Sequence, residues 1–278
     1  VPELPEIAAH AARLDAAFAG GELTSLRPLA FTALKTFDPA PDEAVGHPLL
    51  RVGHRGKHLL VVFEPVTFVV HLMQGGRLES DEKQAAKPRG GLARWTFADG
   101  RALLLTETGT EKRAGVWVVA GDPEGQAPLA GLGPDADRLT PELLAERLTG
   151  QSMRLHGWLR DQHRIAGIGR RLANEICHRA RLSPFANAAK LDGEEQLRLL
   201  TAIDSCLAES MAFEHGREAM SSSKERPSEV HHRVGEPCPV CGDTVRSVAY
   251  SAYTVAYCPT CQTGGKILAD NTTSRFLK

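Results

Sequence analysis

Four cysteines stand in two pairs, Cys238-Pro-Val-Cys241 and Cys258-Pro-Thr-Cys261, with sixteen residues between the pairs. Each two-residue spacing turns the chain tightly enough to aim two thiolates at one ion, and the separation suits a four-thiolate zinc site. Gly242 and the alternation of Val245, Val248 and Tyr250 suit a hairpin joining the two knuckles. Four thiolates close a tetrahedral sphere and leave no position for a reactive water, so a single, structural Zn2+ is expected. Cys177 and Cys206 lie within helical patterns and read as core thiols. This is metal-site usage in a reducing compartment, not a disulfide framework.

A second group is Gly167-Ile-Gly169-Arg170-Arg171 followed by Asn174-Glu175. A glycine-rich turn that opens a helix directs free backbone amides outward, where they and the arginines can meet an anion. The same residues also suit a tight turn between packed helices with solvated arginines. Charge distribution supports an anionic partner. The 33 Lys+Arg and 34 Asp+Glu give a net charge of −1 over 278 residues. Yet residues 151–190 hold eight basic residues against Asp161 and Glu175, a patch that a polyanion would feel.

The elements that must position these groups fall into three parts. After Pro2-Glu3-Leu4-Pro5-Glu6, the spacing of Ile7, Ala11, Leu14 and Phe18 predicts a helix that Gly20-Gly21 stops. Strand-like runs follow at 23–29, 49–53, 58–63, 67–72, 92–97, 102–106 and 116–119, with Asp99-Gly100 as a hairpin turn. Residues 79–91 read as an exposed loop. Residues 1–120 are thus expected to form a β-sandwich with a leading helix, and 121–139, rich in Gly, Pro and Asp, a linker. Helices are predicted at 140–148, 152–163, 170–181 and 193–214 within a domain spanning 140–225. Residues 226–278 would hold the cysteine hairpin and a tail, after a polar stretch at 221–230. The fold class is therefore α+β and multidomain. The longest apolar run, His58 to Met73, is broken by Glu64-Pro65, so no membrane span is expected. With no basic and then apolar leader, a cytoplasmic location is expected.

Taken in order, these segments resemble the formamidopyrimidine-DNA glycosylase and endonuclease VIII family of base-excision repair enzymes. The resemblance runs from Pro2-Glu3-Leu4-Pro5-Glu6 through Arg55-Gly56-Lys57-His58-Leu59-Leu60, His71-Leu72 and Leu132-Gly133-Pro134. It continues through Gly167-Ile-Gly169 with Asn174-Glu175, as a helix–two-turn–helix, to Gly235-Glu236-Pro237-Cys238 and a zinc ribbon. It implies a divergent member, of actinobacterial type, that binds damaged, double-stranded DNA between its domains as a monomer in the bacterial cytoplasm. It implies base release and abasic-site lyase activity on oxidised pyrimidines or ring-opened purines. Pro2 maps to the family's nucleophilic amine, Glu3 to its acid/base and Lys57 to its strand-borne, phosphate-holding lysine. DNA contacts are implied at His71, Met73, Gln74, Arg113, Arg170, Arg171, Asn174 and Tyr253. Val1 precedes Pro2, and an internal proline is a tertiary amide without a nucleophilic lone pair. A GTG start codon read literally accounts for the Val, and the active protein is expected to begin at Pro2.

The departures from the family are specific. Thr110-Glu111-Lys112-Arg113-Ala114-Gly115 keeps the loop arginine but carries Ala114 where formamidopyrimidine glycosylases have a wedge Phe. Gln74, beside Met73, stands at the intercalating Met. Arg170 replaces the Asn of the two-turn motif, and Tyr253 replaces the zinc-hairpin Arg. Leu92 and His163 stand where the family has a His and a Lys. The segment 230–238 looks closer to endonuclease VIII, and no role is assigned to the tail at 266–278. A non-catalytic paralogue that recognises abasic or distorted DNA therefore stands as the alternative. An RNA- or ribosome-associated module is a third reading.

Overall fold

The computed structural model describes residues 1–109, 111–150, 152–222, 225–250 and 253–268. Thr110, part of the polar 221–230 stretch and most of the 266–278 tail lie outside the described residues. Two compact units meet in sequence between Leu132 and Gly133.

The first unit opens with α1 (Leu4–Phe18), whose Leu4, Ile7, Ala11, Leu14 and Phe18 are buried at helical spacing. Then come β1 (Leu23–Pro28), β2 (Arg51–Arg55), β3 (His58–Val62), β4 (Val66–His71), β5 (Gly76–Ser80), β6 (Gly91–Phe97), β7 (Ala102–Glu107) and β8 (Gly115–Ala120). They form two antiparallel four-stranded sheets, β1-β6-β7-β5 and β2-β3-β4-β8. Phe68 of one sheet meets Trp95 of the other edge to face at 5.8 Å, and Phe63 meets Phe68 at 5.6 Å, so the core lies between the sheets. The expected sandwich with its leading helix is present. The Asp99-Gly100 hairpin forms as expected, with Gly100 at a φ of 86°.

β5 extends into the segment 79–91 that was expected as loop. β5 carries a single apolar side chain directed inward, Leu78, in an otherwise polar run. An edge strand needs only one hydrogen-bonded neighbour and one buried side chain, so its alternation is too short to register. Residues after Ser80 do form a loop. Asp81 anchors it through a buried ion pair with Arg94 at 2.7 Å.

The second unit carries α2 (Pro141–Leu148), α3 (Leu155–Arg160), α4 (Arg170–Arg179) and α5 (Gly193–His215). The hairpin of β9 (Arg246–Ala249) and β10 (Thr254–Tyr257) and the short α6 (Pro259–Thr263) complete it. Thr140 caps α2, and Asp192 with Glu195 forms a capping box on α5, which is why these helices start where the sequence places them. Trp158 is fully buried, and its indole N–H donates to the Arg147 carbonyl at 3.2 Å. The Glu175 carboxylate accepts from the backbone N–H groups of Glu229, Val230 and His231 at 2.6–3.2 Å, tying α4 to the approach to the hairpin. Among the described residues, no helix is long and apolar enough to cross a membrane.

Candidate functional site

In the first unit, the start of α1 is fixed by Glu6. The Glu6 carboxylate accepts from the Glu3 N–H at 2.6 Å, which ties the first turn back to the residue before it. Pro2 and a buried Glu3 therefore sit immediately ahead of the first turn. β2 and β3 are joined by the two-residue turn Gly56-Lys57, with Gly56 at a φ of 54°. Lys57 was expected on a strand. It lies on the turn, because the left-handed glycine lets the chain reverse there.

His58 pairs with His71 across β3 and β4, and His71 with Gly115 across β4 and β8. Burial pushes the His71 imidazole down to about 3, helped by the charges of His58, Lys57 and the N-terminal amine. The chain start and Lys57 both lie close enough to His71, at one end of the sheet, to act on its charge. Met73, at a φ of 51°, donates its N–H to His71 Nδ1 at 2.9 Å, and Gln74 projects at the β4–β5 turn.

Arg113 is exposed beside Glu111 at 2.5 Å. Its loop is tethered by buried Glu107, which accepts from the N–H groups of Arg113 and Ala114 at 2.6 and 2.8 Å. Glu107 was not singled out from the sequence. Its only signal there is a carboxylate ending an apolar strand. Ala114 is 1% exposed and belongs to the core, so it cannot project as a wedge.

In the second unit the four hairpin cysteines converge. Sγ of Cys241 and Cys258 are 3.4 Å apart, and those of Cys238 and Cys261 are 3.9 Å apart. Tetrahedral zinc with bonds of about 2.3 Å requires sulfurs about 3.8 Å apart, so this donor set fits the ion. Soft thiolates converging without a disulfide suit it chemically as well. His178 of α4 also reaches the cluster, with Nε2 3.3 Å from Cys238 Sγ and Nδ1 donating to Glu229 at 2.6 Å. The donor atoms of His178, Cys238, Cys258 and Cys261 lie within 4.8 Å of one another, a possible metal-holding group in its own right. The histidine was missed in the sequence. Its signal was the polar set Asn174, Glu175 and His178 on one short helix between apolar residues.

The glycine turn before α4 forms as expected. Gly167 has a φ of 100°, Gly169 is the N-cap, and the Gln162 side chain braces the turn by accepting from Gly167 N–H and donating to the Ile168 carbonyl. Arg170 is exposed at the first helical position. Arg171 and Asn174 differ from the expectation of phosphate contacts. Arg171 is 8% exposed and donates to Ser210 Oγ and the Pro227 carbonyl, and Asn174 is fully buried and donates to His231 Nδ1 at 2.9 Å. Successive helical residues point about 100° apart, so two adjacent arginines do not share a face. Tyr253 is half-buried, stacked on Tyr250 at 4.7 Å with the Arg160 guanidinium over its ring.

Residues 1–113 match the family described as the formamidopyrimidine-DNA glycosylase N-terminal domain. Residues 130–222 match the formamidopyrimidine-DNA glycosylase H2TH domain, and 235–264 the zinc finger found in FPG and IleRS. The formamidopyrimidine-DNA glycosylase of Chloroflexus aurantiacus is 31% identical over 280 residues, covering 94% of this chain and 98% of that protein. An uncharacterized formamidopyrimidine-DNA glycosylase-like protein of Mycobacterium tuberculosis is 45% identical over 162 residues, 58% of this chain and 100% of that protein. The crystal structure of Lactococcus lactis formamidopyrimidine-DNA glycosylase, bound non-covalently to DNA containing an AP site, matches in fold. Its TM-score is 0.83 at 20% identity, over 94% of this chain and 99% of that one.

Proposed function

Since the chain belongs to the formamidopyrimidine-DNA glycosylase family, we propose that it releases oxidised bases from double-stranded DNA and cleaves the abasic site that remains. The observation that carries this reading is the gathering of the chain start, Lys57 and His71 at one end of a sheet, with Glu3 next to Pro2.

With its amine free, Pro2 attacks the sugar C1′ as the bond from C1′ to the base breaks. The base leaves with a proton, and opening of the sugar ring gives an iminium. Glu3 moves the protons at this step. Loss of a C2′ proton then expels the 3′ phosphate, and Lys57 holds a phosphate beside the lesion. An α-amine titrates near neutrality, so on the order of a tenth is nucleophilic at pH 7. Oxidised pyrimidines and ring-opened purines are the substrate classes. Gln74, Met73 and Arg113 are the candidate side chains to fill the space of a flipped base. Cys238, Cys241, Cys258 and Cys261 would hold one Zn2+, which stabilises the hairpin and supplies no reactive water. The protein acts as a monomer in the bacterial cytoplasm.

A second reading, a non-catalytic protein that binds abasic or distorted DNA, is favoured by the burial of Ala114 and of Glu3. Borohydride trapping on duplexes bearing an oxidised pyrimidine, a ring-opened purine or an abasic site separates the two. A covalent adduct and a nicked strand are expected. Tight, salt-dependent binding without either would establish the second reading.

A further inference from the structure

Arg154 and Arg160 of the second unit meet Tyr250 and Tyr253 at the end of the hairpin where β9 leads into β10. The Arg160 guanidinium carbon lies 4.2 Å from the centroid of the Tyr253 ring. Tyr253 stacks on Tyr250 at 4.7 Å and 13°, and the Tyr250 hydroxyl accepts from Arg154 Nη1 at 3.0 Å. Arg154 also lies over the Phe185 ring at 5.3 Å. His156 stacks near Tyr253 at 6.0 Å. Burial first, and then the charges of Arg160 and Arg170, push its imidazole down to about 3. Arg160 and Arg170 are therefore both close enough to act on this ring.

Arg154, Arg160 and Arg170 have no carboxylate partner among the described residues, whereas Arg164, Arg179, Arg198, Arg217 and Arg233 each have one. Like charges gathered without counter-charge raise the local potential and favour an anion. A guanidinium drawn over an aromatic face can still present N–H groups to solvent, and those match the paired oxygens of a phosphate.

We propose that Arg160, positioned by Tyr253, grips a DNA backbone phosphate, with Arg154 and Arg170 flanking it on the same phosphodiester track. The inference rests on the proposed DNA-binding function. Tyr253 is a positioning residue that contributes a ring rather than a charge.

The test measures affinity for an undamaged duplex and for one carrying a tetrahydrofuran abasic analogue, as a function of salt. R160Q should weaken both duplexes by the same factor and flatten the plot of log affinity against log salt by about 0.9. Y253A should weaken binding in the same direction, and Y253F, which keeps the ring, should restore it. R198Q removes a charge already matched by Glu194 at 2.7 Å and should leave the slope unchanged. Zinc content and circular dichroism of each variant report whether the hairpin is intact. If the wild-type protein binds with a steep salt slope and intact R160Q reproduces it, this inference alone is overturned. If the wild-type protein shows no salt-dependent duplex binding, the DNA-binding reading falls and the inference with it.

Discussion

His58 and His71 face each other edge to face across β3 and β4, with ring centroids 4.7 Å apart and an interplanar angle of 66°. Burial is the main reason both are held neutral, His58 at about 4 and His71 at about 3. Two imidazoles this close cannot both be charged without repulsion, so the pair keeps an uncharged, hydrogen-bonding His71 beside the chain start.

Their folded pKa values lie below the unfolded value near 6.5. The stability they contribute is therefore present above about pH 6.5 and is lost as pH falls toward 4. For His58 alone, going from pH 7 to 5.5 should cost about 1 kcal/mol. A nuclear magnetic resonance titration of the His58 ring should give a midpoint near 4. A midpoint near 6.5 would refute the claim, as would an H58Q protein that loses stability in acid as steeply as the wild type.

The proposed nucleophile makes a sharp demand on the chain start. Protein that begins at Pro2 should trap on abasic DNA, and the same protein with its amine acetylated should not. Pro2→Gly should retain part of the trapping, because glycine still offers an amine. E3Q should bind lesion DNA nearly as well as wild type and fail at base release, yet still cleave a preformed abasic site. Intact mass of an active preparation that keeps a residue ahead of Pro2 would defeat the mechanism.

One metal per chain is expected by elemental analysis. Cys241→Ser and Cys258→Ser should lose it together with the β9–β10 hairpin, because folding of so small a ribbon is linked to the ion. His178→Ala should retain it if His178 serves as a hydrogen-bond donor to Cys238. Cobalt substitution then distinguishes the arrangements, since four thiolates and three thiolates with an imidazole differ in their sulfur-to-metal absorption. A spectrum of the second kind would place His178 among the ligands in place of Cys241.

Arg170 and Arg171 should behave differently although they are neighbours. Arg170→Ala removes an exposed charge. It should change stability by less than about 0.5 kcal/mol and flatten the salt plot by about 0.9. Arg171→Ala should destabilise the fold by about 1–3 kcal/mol, because it leaves Ser210 Oγ and the Pro227 carbonyl without their donor. A destabilised Arg170→Ala with an unperturbed Arg171→Ala would reverse this assignment.

Much of the architecture was legible along the chain because its causes are local. The four cysteines announce a metal site by spacing alone, Asp99-Gly100 reverses the chain by turn chemistry, and Thr140 and Asp192 mark helix starts by capping. Each depends on residues a few positions apart, which a sequence displays directly. What the tertiary structure decided depends on residues brought together from far along the chain. Packing against α5 turns Arg171 inward and leaves Arg170 outside. Strand pairing sets His58 against His71, where both Lys57 and the chain start act on the His71 ring. The docking of α4 beside the hairpin carries His178 to cysteines sixty residues away and more. Arg160 over Tyr253 is of the same kind: the guanidinium and the ring have no register in the sequence. Only the burial that seats α3 beside the hairpin makes them neighbours.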